Sequence, residues 1–473
     1  MILNSNKTKI VATIGPASES ASTLEAMIRA GMCIARLNFS HGEFDAHRRV
    51  IENIRAAEKA VAGHVAIMAD LSGPKMRVGR FGVEKIELKA GERFTLTTDE
   101  IVGGPQRVSV SFARLPEVVK KGDMLSLNDG YIQLEVAGVR GADVDCEVKV
   151  GGELRSRKGL NLPGIDLGIA AFTERDRECL QFALENGVDA IGQSFVECAA
   201  DLHAVRSAAR ELGHEPFIIA KIERSRALDR LDEIIAAADG IMIARGDLGV
   251  EVPIERIAVV QKDIMRRANQ RAKPVITATQ MLESMTAYRL PTRAEATDVS
   301  NAILDGTDCV MLSGESAMGA YPVESVAMLA RIAAAVEPTR RHVSVREMFT
   351  GIDLSPYVRP EDLIAVSVEA SLEFLKPAAV FVQSVSGGTA RRLAGLHVPV
   401  PVVAVSANRK VCQDLLFSYG VTPVHEPVTP ASWTEYVKMW LHRQELPGKF
   451  AIMTQRVPSD DPAGNHRMEI VNL

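Results

Sequence analysis

A chain of 473 residues is too long for a small single-site binding module and corresponds to about three ordinary domains, or to a large α/β barrel with additions. Its composition, 47% hydrophobic and 24% charged, excludes a disordered or fibrous protein and provides for a sizeable core. With 55 Lys plus Arg against 60 Asp plus Glu, the net charge of -5 excludes a general attraction to nucleic acid or to an anionic membrane, so any phosphate site must be local.

Residues 1–9 are polar, and no apolar run approaches the ~18 residues of a membrane span, so a cytoplasmic protein without membrane contact is expected. Cys33, Cys146, Cys179, Cys198, Cys309 and Cys412 are widely spaced with no CxxC pair, the pattern of reduced, buried thiols.

Short β-branched runs then alternate with amphipathic helical stretches. Strands are predicted over 9–14, 33–37 and 65–70, with helices near 23–30 and 44–61. Past Asp70 the rhythm breaks into short alternating runs at 86–88, 94–97, 124–127, 131–136 and 144–150, separated by glycine turns, which reads as an inserted all-β unit. Alternation resumes at Thr173, where Thr-x-x-Asp can cap a helix, and strands follow at 190–193, 217–221, 240–244, 274–278 and 309–312. Three strands before the insertion and five after it make eight βα units, the number that closes a (β/α)₈ TIM barrel, although pattern alone also admits an open doubly wound sheet. The charged stretch 340–346 marks a boundary, and a C-terminal α/β series follows at 363–375, 379–382, 402–405 and 450–453. The expected division is a barrel over 1–70 and 166–338, an inserted β lid over 71–165, and a C-terminal α/β domain over 339–473.

In a barrel the chemistry gathers where strands end, and here the strand ends are consistently polar. Strand two runs into Arg36-Leu37-Asn38-Phe39-Ser40-His41-Gly42, strand three into Asp70-Leu71-Ser72-Gly73-Pro74-Lys75-Met76-Arg77, and strand five into Lys221-Ile222-Glu223-Arg224. Strands six, seven and eight end in Ala244-Arg245-Gly246-Asp247, Thr277-Ala278-Thr279-Gln280 and Ser313-Gly314-Glu315. Glu223 and Asp247 are two hard oxygen ligands that leave most of a Mg²⁺ shell to water and substrate. Facing them, Arg36, Arg77 and Lys221 suit a phosphorylated substrate, because phosphoryl transfer depends on positioning and on cations that offset charge. Gly246 permits close backbone approach. Taken singly, an Arg or Asp at a strand end is an ordinary structural ion pair and His41 an ordinary turn residue; Lys221 and Glu223, two apart on one face of one strand, are harder to explain that way. Ser384 to Ala390 follows an apolar run and opens a helix, a phosphate cradle that lacks the lysine of a P-loop. Met281 and Met285 fall at helical spacing and are assigned to the core.

Five blocks in fixed order, Arg-Leu-Asn-Phe-Ser-His-Gly (36–42), Lys-Gly-Leu-Asn-Leu-Pro-Gly (158–164), Gly-Ile-Met-Ile-Ala-Arg-Gly-Asp-Leu-Gly-Val-Glu (240–251), Thr-Ala-Thr-Gln-Met-Leu-Glu-Ser-Met (277–285) and Asn-Ala-Ile-Leu-Asp-Gly-Thr-Asp (301–308), closely resemble pyruvate kinase across essentially the whole chain. The resemblance implies transfer of the phosphoryl group of phosphoenolpyruvate to ADP, giving ATP and pyruvate in the last step of glycolysis, by a homotetramer with an allosteric C-terminal domain. It implies that Lys221, Arg36 and Thr279 are catalytic and that Arg36, Ser194, Lys221, Gly246, Asp247 and Thr279 bind phosphoenolpyruvate. Asn38, Phe39, Ser40, His41, Arg77 and Lys158 would hold the nucleotide, and Glu223 with Asp247 would hold Mg²⁺, or Mn²⁺ in its place.

Three departures stand out. The family's Glu after Gly-Pro is Lys75, beside the groups that would ligate K⁺, namely Asn38, Ser40, Asp70 and Leu71. A fixed ammonium there repels a monovalent cation and can supply its charge, so K⁺ is expected not to be required. Met318 replaces a nucleotide-side Lys, which leaves the nucleotide preference open. In the candidate effector loop of Ser384, Ser386, Gly387, Gly388 and Thr389, the residues Ser384, Ser386 and Thr389 match the family's sugar-phosphate loop but Gly388 replaces a basic residue, and Asp460 and Asp461 make the later loop, 458–464, acidic. These carboxylates should repel a bisphosphate, so a sugar monophosphate is the effector class expected. Two other readings are weighed: a metal-dependent lyase acting on pyruvate enolate, which has no use for Arg77 and Lys158, and a non-catalytic sugar-phosphate sensor, which has no use for an intact Lys221, Glu223, Asp247 and Thr279.

Overall fold

Eight parallel strands close on themselves, which settles the barrel against the open sheet. In this computed structural model, which describes residues 6–340, 360–457 and 465–473, the barrel strands are β1 (Lys9–Thr13), β2 (Met32–Asn38), β3 (Ala66–Leu71), β4 (Ala190–Gln193), β5 (Phe217–Ile222), β6 (Gly240–Ala244), β7 (Val275–Ala278) and β8 (Cys309–Leu312). Each pairs with its sequence neighbours, and β8 closes on β1 through Lys9↔Cys309 to Ala12↔Leu312. Helices cover the outer faces, so the strands are buried on both sides and read as continuous apolar runs.

Side chains alternate across a strand, and this period places the chemistry. Val11, Ile34, Met68, Ile219, Met242, Ile276 and Met311 form one cluster that fills the barrel, floored by Leu416 and Phe417 of the C-terminal domain; the Phe417 ring stacks on Phe217 at 5.2 Å. Two residues further along four of these strands stand Thr13, Arg36, Asp70 and Lys221. The apolar plug therefore carries a polar ring on its C-terminal end.

The inserted unit leaves after β3. Its main sheet runs Leu160–Asn161, Met124–Leu127, Ile132–Arg140, Asp143–Val150, Arg93–Thr97 and Arg107–Ser109, with a second pair formed by Lys85–Leu88 and Gly152–Arg155, around a core that includes Phe94, Leu125, Leu134 and Val148. The chain returns at Thr173, whose hydroxyl accepts from Asp176 N–H while Asp176 accepts from Thr173 N–H, the capping box expected there. Asp176 also accepts from Gly73 N–H at 3.1 Å, so one carboxylate ties the outgoing and returning arms of the lid together.

The C-terminal domain opens with helix Pro360–Leu372 and has a five-stranded sheet of β9 (Val380–Gln383), β10 (Val402–Ser406), β11 (Val421–His425), β12 (Phe450–Val457) and β13 (Asn465–Asn472) in the order β11-β10-β9-β12-β13. Strand β11 has Pro423 and lies at the sheet edge, the place that tolerates a missing donor. None of the six cysteines is in a disulfide, five of them are buried and Cys198 is half-buried, and Met281 and Met285 are core residues. Among the described residues no helix is long and apolar enough to cross a membrane. The acidic loop 458–464 and most of the charged stretch 340–346 lie outside the described residues.

Candidate active site

The polar ring on the barrel plug is cross-tied into one charge network. Lys221 Nζ lies 3.0 Å from Asp70 Oδ1 and 2.7 Å from Glu223 Oε1, and it donates to Ser194 Oγ at 2.5 Å. Arg36 donates from Nε to Asp70 Oδ2 at 2.7 Å and from Nη1 to Thr13 Oγ1 at 2.8 Å. Burial works against the charge on Lys221, but Asp70 and Glu223 outweigh it and hold its pKa above the ordinary lysine value. Burial likewise opposes ionisation of Asp70, and Lys221 with Arg36 overcome it, so this carboxyl titrates below its usual range. The pairing thus favours the ammonium form of Lys221 and the carboxylate form of Asp70, both of them buried.

Asp247 stands in the opposite condition. Burial, and then the charge of Glu223, push it up to about 6. Glu223 is buried and Asp247 stands beside it at the open mouth, and two carboxylates that repel each other among cations form a donor set that fits a small divalent cation. Among the described residues no cage of three or more His, Cys, Asp or Glu forms. Glu223 is oriented for this by Phe195 N–H, which donates to its Oε2 at 3.0 Å; Phe195 has φ 60, a strained conformation for an aromatic residue.

Thr279 is strained as well, with φ 70, and Gln280 follows at φ 53. For a β-branched residue this left-handed conformation is costly and marks a functional turn. The Thr279 hydroxyl accepts from Gly246 N–H at 2.7 Å, joining the ends of β6 and β7. A methyl on Gly246 would come 3.4 Å from that oxygen, so the glycine keeps the approach open. Arg245 fixes the turn from behind: it donates to Thr279 O at 2.9 Å, to Ala278 O, and pairs with Asp298 at 2.7 Å. It is a positioning residue that strand-end reading passed over, although it sits inside the quoted motif.

Other expected residues take up more varied places. The Ser194 hydroxyl is buried, accepting from Lys221 and donating to Leu71 O at 2.7 Å, so it positions Lys221 and has no free proton to donate to a substrate carboxylate. The Phe39 ring packs inward on His47 at 4.4 Å, leaving its main chain as what it can offer a nucleotide. Asn38 Oδ1 accepts from Ser40 N–H at 3.1 Å and the Ser40 hydroxyl meets that of Ser72 at 2.9 Å, which orders the turn ending in exposed His41. Burial, then Lys75, Arg77 and Arg36, lower the pKa of His41 and keep it neutral. Arg77 anchors on Arg157 O at 2.9 Å, and Lys158 O accepts from Val78 N–H, so Arg77 and Lys158 share the lid base. Lys75 is exposed at the rim, yet it senses the mouth: partial burial and the charge of Lys221 lower its pKa, offset by Asp70, Asp247 and Glu223. Met318, by contrast, is 79% exposed.

In the C-terminal loop Ser384 Oγ accepts from Gly387 N–H at 3.1 Å, and Gly387 adopts φ 84. The Arg391 guanidinium folds back one helical turn, donating to Ser386 O at 2.6 Å and lying 2.7 Å from where a Cβ on Gly387 would stand. A cation therefore reaches the loop from Arg391 where sequence comparison at position 388 found none.

The two matching family models are the pyruvate kinase barrel domain, over residues 5–326, and the pyruvate kinase alpha/beta domain, over 361–471. The chain is 47% identical to pyruvate kinase of Thermococcus litoralis over 89% of each chain, and 42% identical to that of Geobacillus stearothermophilus over 89% of this chain and 72% of the relative. It superposes on a crystal structure of a pyruvate kinase from Cryptosporidium parvum with a TM-score of 0.92, at 35% identity over 99% of this chain and 96% of that one.

Proposed function

Because the chain belongs to the pyruvate kinase family of phosphotransferases, we propose that it moves the phosphoryl group of phosphoenolpyruvate to ADP with the residues of the barrel mouth. The observation that carries the assignment of roles is the buried Lys221 ammonium clamped between Asp70 and Glu223 beside Asp247. Lys221 and Arg36 grip the phosphate, and the Thr279 hydroxyl with the Gly246 and Asp247 amides holds the substrate carboxylate. Since Gly246 N–H already donates to Thr279 Oγ1, the carboxylate must share or replace that bond. Asn38, the Phe39 main chain, Ser40, His41, Arg77 and Lys158 hold ADP. Glu223 and Asp247 would hold Mg²⁺, or Mn²⁺, which when bound supplies charge neutralisation at the phosphoryl and carboxylate oxygens. An oxygen of the ADP β-phosphate forms the new bond to phosphorus while the bond to the enol oxygen breaks, and the Lys221 charge, fixed in place, offsets the negative charge that spreads over the transferring group. Held as an ammonium, Lys221 is a charge stabiliser and not the donor of the proton that converts enolpyruvate to pyruvate. The lid over 71–165, hinged at Gly73 and Thr173, closes on the barrel of 1–70 and 166–338 and excludes water that would hydrolyse the donor; 339–473 form the regulatory part.

The same reading makes K⁺ dispensable. Lys75 brings its positive charge to the mouth, and the groups that would ligate K⁺ have protein partners already: Asn38 with Ser40, Leu71 O with Ser194, Asp70 with Arg36 and Lys221. The effector is a sugar monophosphate held at Ser384, Ser386, Gly387, Gly388 and Thr389, and the enzyme works in the cytoplasm as a homotetramer. A coupled assay for pyruvate from phosphoenolpyruvate and ADP, run with Mg²⁺ in a buffer whose sole monovalent cation is a bulky organic ion, tests both main claims. Full activity is expected there. No pyruvate under any salt removes the assignment, whereas activity that returns only with K⁺ removes the role given to Lys75.

A further inference from the structure

The turn assigned to ADP is tied down at its base. Phe39 N–H donates to Asp70 O at 3.1 Å, His41 N–H to Asn38 O at 3.2 Å, and Ser40 N–H to Asn38 Oδ1 at 3.1 Å. Its outer end, His41 and Gly42, runs directly into helix Phe44–Ala60, whose N-cap residue Glu43 makes no side-chain capping bond. With no capping side chain to fix it, the entry angle of the chain depends on contacts across the first helical turn.

His47 makes those contacts. It is the fourth helical residue, and Gly42 immediately precedes the cap, so the two occupy the positions that close a hydrophobic staple in other helices. Gly42 brings no side chain and adopts φ 80; a Cβ on it would stand 3.3 Å from His47 Nε2, so the imidazole lies against the main chain itself. The apolar contact of a staple is replaced by a polar one, with His47 Nε2 at 2.9 Å from His41 O. A carbonyl oxygen can only accept, so Nε2 carries the proton and donates, in the neutral ring and the imidazolium alike.

The face of the same ring is engaged as well. It stacks on Phe39 with centroids 4.4 Å apart and 14° between the planes. Phe39 is buried, with the Phe44 ring at 6.4 Å and the Phe182 ring at 6.0 Å. Phe182 belongs to helix Glu174–Glu185, which Thr173 caps where the lid returns. One imidazole thus grips the turn twice, its edge on the outer main chain and its face on the inner aromatic ring.

From this arrangement we infer that His47 is a positioning residue for the nucleotide: it fixes the turn that presents Asn38, Ser40 and His41, and so strengthens ADP binding without taking part in phosphoryl transfer. The inference rests on the assignment of ADP to this turn. A loop held in its binding conformation beforehand spares the ligand the cost of ordering it, and the gain appears in affinity.

Coupled pyruvate assays over a range of ADP and phosphoenolpyruvate concentrations, with calorimetry of ADP binding to the full chain, test it. His47→Phe keeps a ring on Phe39 and removes the donor. Its KM for ADP should rise about three- to tenfold, the worth of one hydrogen bond, while kcat and the KM for phosphoenolpyruvate stay within about twofold. His47→Gln keeps a donor of similar reach and should recover much of that loss. His41→Ala leaves the His41 main-chain oxygen in place and reports on the assignment of ADP to the turn. A selective rise in the KM for ADP in His47→Phe upholds the inference even if the His41 side chain proves dispensable. If neither His41→Ala nor His47→Phe changes ADP binding, the assignment falls and the inference with it. If His41→Ala weakens ADP binding and His47→Phe does not, the assignment stands and the inference is overturned. It is overturned too if His47→Phe lowers kcat and raises both KM values together and His47→Gln does not rescue it, which would make His47 a structural residue alone.

Discussion

The two ends of one barrel both gather positive charge, but in different surroundings. At the mouth, Lys221 and Asp70 side chains are 10% and 2% exposed, and Arg36, Asp70 and Lys221 tie three strands together. At the base, on the seam with the C-terminal domain, Arg210 and Arg271 side chains are 62% and 40% exposed and their partners are single surface carboxylates. Coulomb energy scales inversely with the local dielectric, so the same guanidinium or ammonium acts far more strongly at the mouth and cannot relax away from a developing charge. The mouth holds its charges fixed and little solvated, whereas those at the seam are free to move in water.

The largest effect that follows is on Lys221. Lys221→Met keeps the stem and deletes the charge, and kcat for phosphoryl transfer should fall by about 10³-fold or more, as expected when a preorganised cation is removed from a transferring phosphoryl group. A coupled pyruvate assay reads this directly, and a kcat within tenfold of the unaltered enzyme would break the contrast between the two ends.

Next in size is a stability effect beneath the mouth. Arg224 and Glu251 form an ion pair at 3.0 Å with side chains 2% and 1% exposed, and Arg224 also donates to Ile165 O where the lid returns. Arg224→Met leaves a buried carboxylate without its countercharge, a cost of about 3–5 kcal/mol. Thermal unfolding should show it, and the double variant Arg224→Met/Glu251→Leu should recover much of the loss. The exposed Arg210–Glu215 pair is expected to contribute about 0–1 kcal/mol. Equal losses at the two pairs would mean that burial does not separate them.

This contrast also explains what could be read from the residues alone. Strand-end polarity located Arg36, Asp70, Lys221, Glu223, Asp247 and Thr279, because a period of two must lift charged residues above Ile34, Met68 and Ile219 when those fill the barrel. The resemblance added their roles. Strands of two or three residues, such as Leu160–Asn161 and Arg107–Ser109, escaped notice because no period can be measured over so few positions, and Pro423 concealed β11. The return of Arg391 onto Gly387 and the engagement of Ser194 by Lys221 depend on tertiary contacts.

A smaller effect is expected at the rim, where Lys75 is exposed and its field weakened by solvent. Lys75→Glu reverses a charge beside Asp70 and Glu223, and activity in K⁺-free buffer should fall about tenfold and be restored at least in part by added K⁺. A variant insensitive to K⁺ would show that the monovalent-cation groups have lost their competence for reasons other than Lys75.

The smallest effect comes from Asp308, which lies on the same seam but behaves like the mouth. Its Oδ1 accepts from Tyr419 N–H and its Oδ2 from Val275 N–H, both at 2.9 Å, joining the barrel to the C-terminal domain. Burial pushes its pKa up to about 7, against 3.8 for an ordinary aspartate, and the two amides with Arg340 and Lys9 offset only part of that rise. A carboxyl whose pKa is raised by folding contributes stability that is complete below its unfolded value and is lost as pH rises through its folded value. The unaltered protein should therefore lose stability relative to Asp308→Asn between about pH 4 and pH 7, with the difference in Tm moving in the variant's favour by about 1–3 °C. The amide side chain introduced by Asp308→Asn would itself set an NH₂ against one of the two backbone donors, so the variant starts lower, and it is the slope of the difference with pH that decides. A constant gap would place the proton balance of the seam elsewhere and leave Asp308 as a hydrogen-bond acceptor alone.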